Sequence, residues 1–139
     1  MNPPQVLIER AAIDALYNPS AEHHEAAVTA YLALVDEFQD EQLLLVAVSD
    51  HIRPYREWWR LLRRGPLAAI DTLQVGRQHR RAAHRMTDIV NFNRVDFNRA
   101  LTLVMCQRHK VKRILTLDPL FTTFDLDVQL VGDRNVVGI

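Results

Sequence analysis

The chain contains few of the residues that cross-link a fold or interrupt its helices and strands. It has 139 residues with one cysteine, four glycines and six prolines, and its formal net charge is zero. One cysteine cannot form an internal disulfide. Cys106 ends the apolar segment 101–106, where we expect a buried thiol, and this use of cysteine fits a reducing cytoplasm. No apolar run reaches the roughly 18 to 20 residues that cross a bilayer, and residues 1–5 do not resemble a signal peptide. The sequence therefore predicts a cytoplasmic protein that does not enter membranes.

Two motifs of small-ligand and metal chemistry are also missing. No glycine-rich phosphate loop and no CxxC pair occurs, so neither a nucleotide-binding loop nor a zinc ribbon is expected. Hydrophobic residues make up 48% of the chain, which supports a packed core. The length fits one domain that spans residues 1–139.

Apolar runs alternate with segments of helical spacing. Strands are predicted at 6–8, 42–48, 113–117 and 128–131, with the last at an edge of the sheet. Helices or helical pieces are predicted at 11–17, from Ser20 to about 35, at 53–62, 67–73 and 77–85, and at 97–109 with Asp96 as its cap. Leu43–Val48 is apolar at every position, as a strand covered on both faces requires. The order predicts an α/β protein, with helices on both faces of a central, mostly parallel sheet.

Acidic residues stand where three of these strands end. They are Glu9, Asp50 and Asp118, and the carboxyl ends of parallel strands meet at one edge of a sheet. Carboxylates gathered there are suited to hold Mg²⁺ or Mn²⁺. The alternative is that each acid caps the helix that follows it, which is the commoner use of such residues.

Four segments resemble successive landmarks of the PIN domain family. They are Val6–Ala12, Ser49–His51, Phe97–Leu101 and Thr116–Phe121. The resemblance, spread over nearly the whole chain, implies a three-layer αβα sandwich with a mostly parallel sheet. It also implies the activity of that family, which includes the toxin ribonucleases of bacterial toxin–antitoxin pairs, where clustered acids hold a metal that activates water for RNA cleavage.

The acidic pocket implied by the resemblance is altered at most positions. Asp118 matches the family, and Glu9 keeps a carboxylate one methylene further out. Tyr55 falls where the family has a glutamate, and Arg99 takes the slot of an aspartate. A fixed guanidinium between Glu9 and Asp118 would replace the cation. We therefore expect a vestigial pocket, with no catalytic residues and no metal.

The enzyme alternative remains open. An active protein would be a Mg²⁺- or Mn²⁺-dependent endoribonuclease of the toxin–antitoxin type, with a shifted metal site built from Glu9, Asp96 and Asp118 and with Asp50 nearby.

The zero net charge conceals a strong polarity. Residues 1–50 carry nine acids against Arg10, whereas residues 51–85 carry nine arginines against Glu57 and Asp71. Arginines at helical spacing suit phosphate contacts, so we expect an RNA- or ribonucleoprotein-binding surface. Its predicted members are Arg53, Arg56, Arg60, Arg63, Arg64, Arg77, Arg80, Arg81 and Arg85, with Trp58 as a stacking platform.

The competing interpretation is a protein partner. The arginines would pair with the acidic helix of the same molecule, with that of a second copy in a symmetric dimer, or with an antitoxin. Charge polarity alone does not separate these alternatives from RNA binding.

Overall fold

The protein is an α/β structure with one five-stranded sheet. The computed structural model describes residues 4–55, 70–89, 95–124 and 126–131. The strands are β1 (Gln5–Ile8), β2 (Leu44–Val48), β3 (Ile70–Leu73), β4 (Arg113–Thr116) and β5 (Asp127–Leu130). Their order across the sheet is β3-β2-β1-β4-β5, and every neighbouring pair is parallel. The predicted parallel sheet is confirmed.

Helices cover both faces of the sheet. They are α1 (Arg10–Tyr17), α2 (His24–Glu41), α3 (Ser49–Ile52), α4 (Arg77–Ile89) and α5 (Phe97–His109), with 3₁₀ turns at Arg53–Tyr55 and Pro119–Thr123. Helices α1 and α2 pack on one face, in a core with Val6, Ile8 and Leu45. Helices α4 and α5 pack on the other face, in a core with Leu7 and Val46. Alternate residues of each strand therefore feed different cores, which explains the unbroken apolar runs.

The connections leave the central strand β1 in two directions. Strands β2 and β3 continue to one side, and the chain then crosses through α4 and α5 to place β4 on the other side. The carboxyl ends of β1 and β4 therefore flank the topological switch point, where open α/β sheets most often bind ligands. At this switch point the backbone N–H of Glu9 donates to the carbonyl of Leu115, at 2.9 Å.

Two predicted helical segments differ from the structure at their starts. Helix α2 begins at His24 rather than Ser20, because the N–H of Ser20 binds the side chain of Asn18 and a turn follows. Helical structure after β2 begins at Ser49 rather than Arg53, and Arg53–Tyr55 is a 3₁₀ turn. The remainder of the predicted helix 53–62 lies outside the described residues.

The strand β3 was not predicted. Residues 70–73 belong to the piece interpreted as helical, but they form a four-residue edge strand paired with β2. Ile70 and Leu73 are buried while Asp71 and Thr72 are exposed. This pattern does not alternate with a period of two, so it resembles a helical turn as closely as it does a strand.

The other elements agree with the prediction. The edge strand β5, helix α5 with Asp96 as its cap, and the buried Cys106 are confirmed. In the described parts of the chain no helix is both long and apolar enough to pass through a membrane.

Candidate functional site

Glu9 directly follows β1 and is almost completely buried, with 4% of its surface exposed. Its Oε1 accepts two hydrogen bonds, from the hydroxyl of Thr116 at 2.6 Å and from the N–H of Ala11 at 2.9 Å. The second of these bonds caps α1. Burial raises the pKa of Glu9 above its usual value, against the effect of the two bonds, and the nearby charge of Asp118 adds to the rise.

Asp118 follows β4 and faces the same gap. Its Oδ1 caps the 3₁₀ turn by accepting from the N–H of Leu120 at 3.0 Å. Its own N–H donates to the hydroxyl of Thr116 at 2.9 Å. Thr116 therefore joins Glu9 to Asp118, because its hydroxyl donates to one residue and accepts from the other.

Arg99 places its guanidinium against this pair of acids. Its Nε donates to Oδ2 of Asp118 at 2.6 Å, and the two side chains are only 35% and 16% exposed. The bond to Asp118 raises the pKa of Arg99, and the charges of Asp96 and Glu9 act in the same direction. Arg99 is therefore the counter-ion of the nearby acids Asp118, Asp96 and Glu9. It occupies the sequence position at which the family resemblance implies a carboxylate.

Helix α5 holds Arg99 in this position. Asp96 caps the helix, with its Oδ1 accepting from the N–H of Arg99 at 2.8 Å. That bond engages one of the oxygens that the enzyme alternative assigns to a metal. It also fixes the backbone of the residue whose side chain contacts Asp118.

Asp50 faces α4. Its two oxygens accept from Nη2 of Arg80 at 3.1 and 3.3 Å, and Arg53 lies at 3.7 Å. Asp50 therefore binds two arginines of the predicted RNA surface. The preceding Ser49 accepts a hydrogen bond from the N–H of Val75, which ties the end of β2 to the segment leading into α4.

Tyr55 contacts α1. Its hydroxyl donates to Oδ1 of Asp14 at 2.5 Å, and its ring stacks on Tyr17 with 5.7 Å between centroids. Burial, together with the bond to Asp14, raises the pKa of Tyr55 to about 12. The phenol therefore stays protonated at neutral pH and keeps donating to Asp14.

His51 is a site residue that sequence reasoning missed. It is 5% exposed, and both ring nitrogens are buried. Burial lowers its pKa, while the neighbouring side chain of Asn98 acts in the opposite direction. The position after Ser49-Asp50 was the available signal, but the sequence does not reveal that the ring is buried.

The predicted RNA surface is described only in part. Arg77, Arg80, Arg81 and Arg85 are exposed on α4, and Arg80 pairs with the half-buried Asp50 of α3. Among the remaining predicted members, Arg53 is exposed at the 3₁₀ turn. The others, which lie outside the described residues, are Arg56, Arg60, Arg63, Arg64 and Trp58.

The acids at the switch point do not fit a divalent cation as they are arranged. Both oxygens of Asp118 and one oxygen of Glu9 already accept hydrogen bonds. Arg99 supplies a positive charge within bonding distance of Asp118. Like charges about 4 Å apart repel by roughly 4 kcal/mol per pair of unit charges near a protein surface. The guanidinium would have to move before Mg²⁺ or Mn²⁺ reached these oxygens.

Comparison with known proteins identifies the fold. No family model matches the sequence, and neither does any curated protein. Five solved chains match, among them the crystal structure of VapC20 from Mycobacterium tuberculosis, a toxin that cleaves the sarcin–ricin loop. The TM-score is 0.65 at 12% identity, over 88% of this chain and 98% of that one. An identity this low shows a shared fold alone, and the chain accordingly has a PIN-like three-layer α/β fold.

Proposed function

We propose that this protein is a PIN-like RNA-binding module that has lost metal-dependent cleavage. The observation that carries the proposal is the ion pair between Arg99 and Asp118 at the switch point of the sheet. A guanidinium is permanently charged, so it neutralises the carboxylates at any physiological pH. The acids then hold the fold together at this edge and do not recruit a cation.

The exposed face of α4 supports RNA as the partner. Arg77, Arg81 and Arg85 follow one another at four-residue steps, so their Cα atoms lie about 6 Å apart along one side of the helix. All three side chains are exposed. Guanidiniums can hold phosphate oxygens with two parallel hydrogen bonds, which favours a nucleic acid backbone over an isolated anion.

The position of α4 relates this face to the former metal pocket. The ion pair of Arg80 with Asp50 ties the helix to the carboxyl end of β2, the strand next to β1. Glu9 follows β1 at the same edge of the sheet. An RNA strand that binds α4 is thereby brought toward the acids, in the place where an active enzyme would hold its scissile phosphate.

A metal-dependent endoribonuclease is the second candidate. It is favoured by the meeting of Glu9 and Asp118 at the switch point through Thr116. The shared fold with a toxin that cleaves the sarcin–ricin loop points the same way. In this account Arg99 would swing out when Mn²⁺ binds, and Asp118 would act as a ligand.

Calorimetric titration with Mn²⁺ separates the two candidates. The proposal predicts no binding below about millimolar Mn²⁺, because the acids are neutralised by Arg99. A site of micromolar affinity that disappears in Asp118→Asn would support the nuclease and contradict the proposal. Asp36→Asn, on the exposed face of α2, provides the control for loss of one negative charge.

A further inference from the structure

A cleft of about 380 Å³ opens beside the acidic pocket. Its wall includes Arg10, Asp14, Glu22, Tyr55 and Leu117. Arg10 follows Glu9 in the chain, and Leu117 precedes Asp118, so the cleft adjoins the switch point. Its volume lies in the range of roughly 300–1,000 Å³ in which proteins bind small molecules.

One carboxylate of the cleft is held ready to accept hydrogen bonds. The hydroxyl of Tyr55 donates to Oδ1 of Asp14 and thereby fixes the orientation of the group. Among the described residues, no group donates to the other oxygen, Oδ2 of Asp14. The side chain is exposed, so a ligand can reach this oxygen. A carboxylate has about four lone-pair positions, so Asp14 retains capacity for two adjacent donors of a ligand.

The cleft also offers a cation and an aromatic ring. Arg10 is exposed and has no ion-pair partner in the described ranges of the chain. Tyr55 is partly exposed and is supported by its stacking on Tyr17. A supported tyrosine at a nucleic-acid surface provides a platform on which a base can stack.

We infer that this cleft binds a guanine base, with Asp14 accepting from its N1 and N2 donors and Arg10 donating to its O6 or N7. Guanine alone among the common bases presents two adjacent donors on its Watson–Crick edge, which match the two oxygens of a carboxylate. Its acceptors O6 and N7 are the usual partners of arginine. Adenine, cytosine and uracil cannot supply both donors to Asp14.

The inference rests on the proposed RNA binding and adds a base preference to it. Because α1 and α4 lie on opposite faces of the sheet, a strand that binds α4 would have to cross the carboxyl edge of the sheet to place one unstacked guanine in the cleft. Sequence-specific proteins read single-stranded RNA through such splayed bases. The free nucleotide offers the same chemistry, and the experiment separates the two sources.

The test measures binding of short oligouridines that carry one central guanosine, inosine or adenosine. All three strands have the same charge, so they share the backbone contribution to affinity. Guanosine is expected to bind about tenfold more tightly than inosine, which lacks the 2-amino group. Asp14→Asn should abolish this difference, so that the three strands bind the variant with equal affinity, and an asparagine oxygen can still accept from Tyr55.

The control variant is Asp40→Asn, which removes an exposed aspartate on α2 and should preserve the preference. Guanosine monophosphate is titrated alone, and the RNA source predicts that it binds far more weakly than the oligonucleotide. Comparable affinities would instead assign the cleft to free nucleotides.

Each remaining outcome overturns an identifiable claim. Equal affinity for the three strands would overturn the guanine cleft and leave RNA binding intact. Absence of RNA binding, together with Asp14-dependent binding of the mononucleotide, would overturn the proposed function and leave the cleft. Failure of both ligands to bind would overturn both.

Discussion

At the scale of single residues, Arg99 decides how the acids at the switch point behave. It lies in the first turn of α5 and contacts Asp118, and its charge interacts with Asp96 and Glu9. Three carboxylates without a counter-ion would repel one another and attract a cation. The guanidinium supplies that charge from within the chain.

Replacing Arg99 should therefore restore a requirement for metal. Arg99→Asp is expected to lower the thermal midpoint in EDTA, through repulsion with Glu9 and Asp118. Mn²⁺ should then raise the midpoint of the variant by several degrees, because a ligand that binds only the folded state stabilises it. Differential scanning fluorimetry with and without Mn²⁺ measures both effects.

Arg108→Asp is the matched control, because it makes the same charge change at an exposed position of the same helix. Its midpoint should not respond to Mn²⁺. The account is wrong at this residue if Mn²⁺ stabilises the wild-type protein as strongly as Arg99→Asp.

Glu9 gives the site a pH dependence of defined sign. Burial raises its pKa in the folded protein, so between the unfolded and the folded pKa the folded state binds more protons. The contribution of Glu9 to stability is therefore greatest below its unfolded pKa of about 4.5 and is lost as the pH rises through the folded pKa. The charge of Asp118 adds to the rise in the pKa of Glu9, and that of Arg10 opposes it.

Glu9→Gln removes that titration. Relative to the wild type, the free energy of unfolding of the variant should rise steadily from pH 4 toward pH 7, as measured by urea denaturation. Glu25→Gln, which alters an exposed glutamate of α2, should give no such trend. A difference that stays constant across this range would show that Glu9 does not titrate with a raised pKa.

At the scale of elements, Asp50 would limit how many arginines of the predicted RNA surface can contact RNA in the proposed function. It stands at the start of α3 and binds Arg80 of α4, with Arg53 close by. Ion pairs at this exposure contribute little to stability. In the proposed function, their larger effect is to occupy guanidiniums that would otherwise contact phosphate.

Asp50→Asn should therefore strengthen RNA binding. Releasing two arginines is expected to raise affinity several-fold at low salt, and to steepen the dependence of log affinity on log salt by about 0.7 per additional phosphate contact. Fluorescence anisotropy over a range of salt concentrations measures both quantities. Unchanged affinity and slope would mean that RNA does not contact Arg80 or Arg53.

The same scale shows what the sequence could predict. Aliphatic segments identified β1, β2 and β4, and the capping pattern at Asp96 placed α5 correctly. Strand β3 was not predicted, because a four-residue edge strand contains too few positions to establish a period of two. The contact of Tyr55 with Asp14 joins residues far apart in the chain, and no local pattern encodes it.

The sequence could predict the candidate site only where the order of the strands determines which residues lie close together. Glu9 and Asp118 meet because parallel strands end at one edge, and the resemblance supplied the slot of Arg99. The burial of His51 and the orientation of Asp50 toward Arg80 depend on how side chains pack between elements. Such packing has no signature in the spacing of residues.

At the scale of the whole molecule, the sheet separates the acidic and basic helices. Helix α2 packs in the core of one face and α4 in the core of the other. Among the described residues, the arginines of α4 therefore do not pair with α2 of the same molecule. The intramolecular form of the competing interpretation stays a prediction for Arg56, Arg60, Arg63 and Arg64, which lie outside the described residues. A second copy or another acidic protein remains the alternative to RNA.

The salt response of assembly tests that alternative. The RNA account predicts a monomer at all salt concentrations in sedimentation velocity, with RNA affinity that falls steeply as salt rises. Arg81→Ala with Arg85→Ala should reduce the steepness by about 0.7 for each phosphate contact that is lost. A dimer that dissociates in high salt, with no RNA binding, would favour the protein partner.

The most direct test of the central claim is cleavage of single-stranded RNA by the purified protein in Mn²⁺, with and without EDTA. The account predicts that the RNA stays intact in both conditions, while the protein binds it equally well in each. Cleavage that requires Mn²⁺, stops in EDTA and is abolished by Asp118→Ala would contradict it.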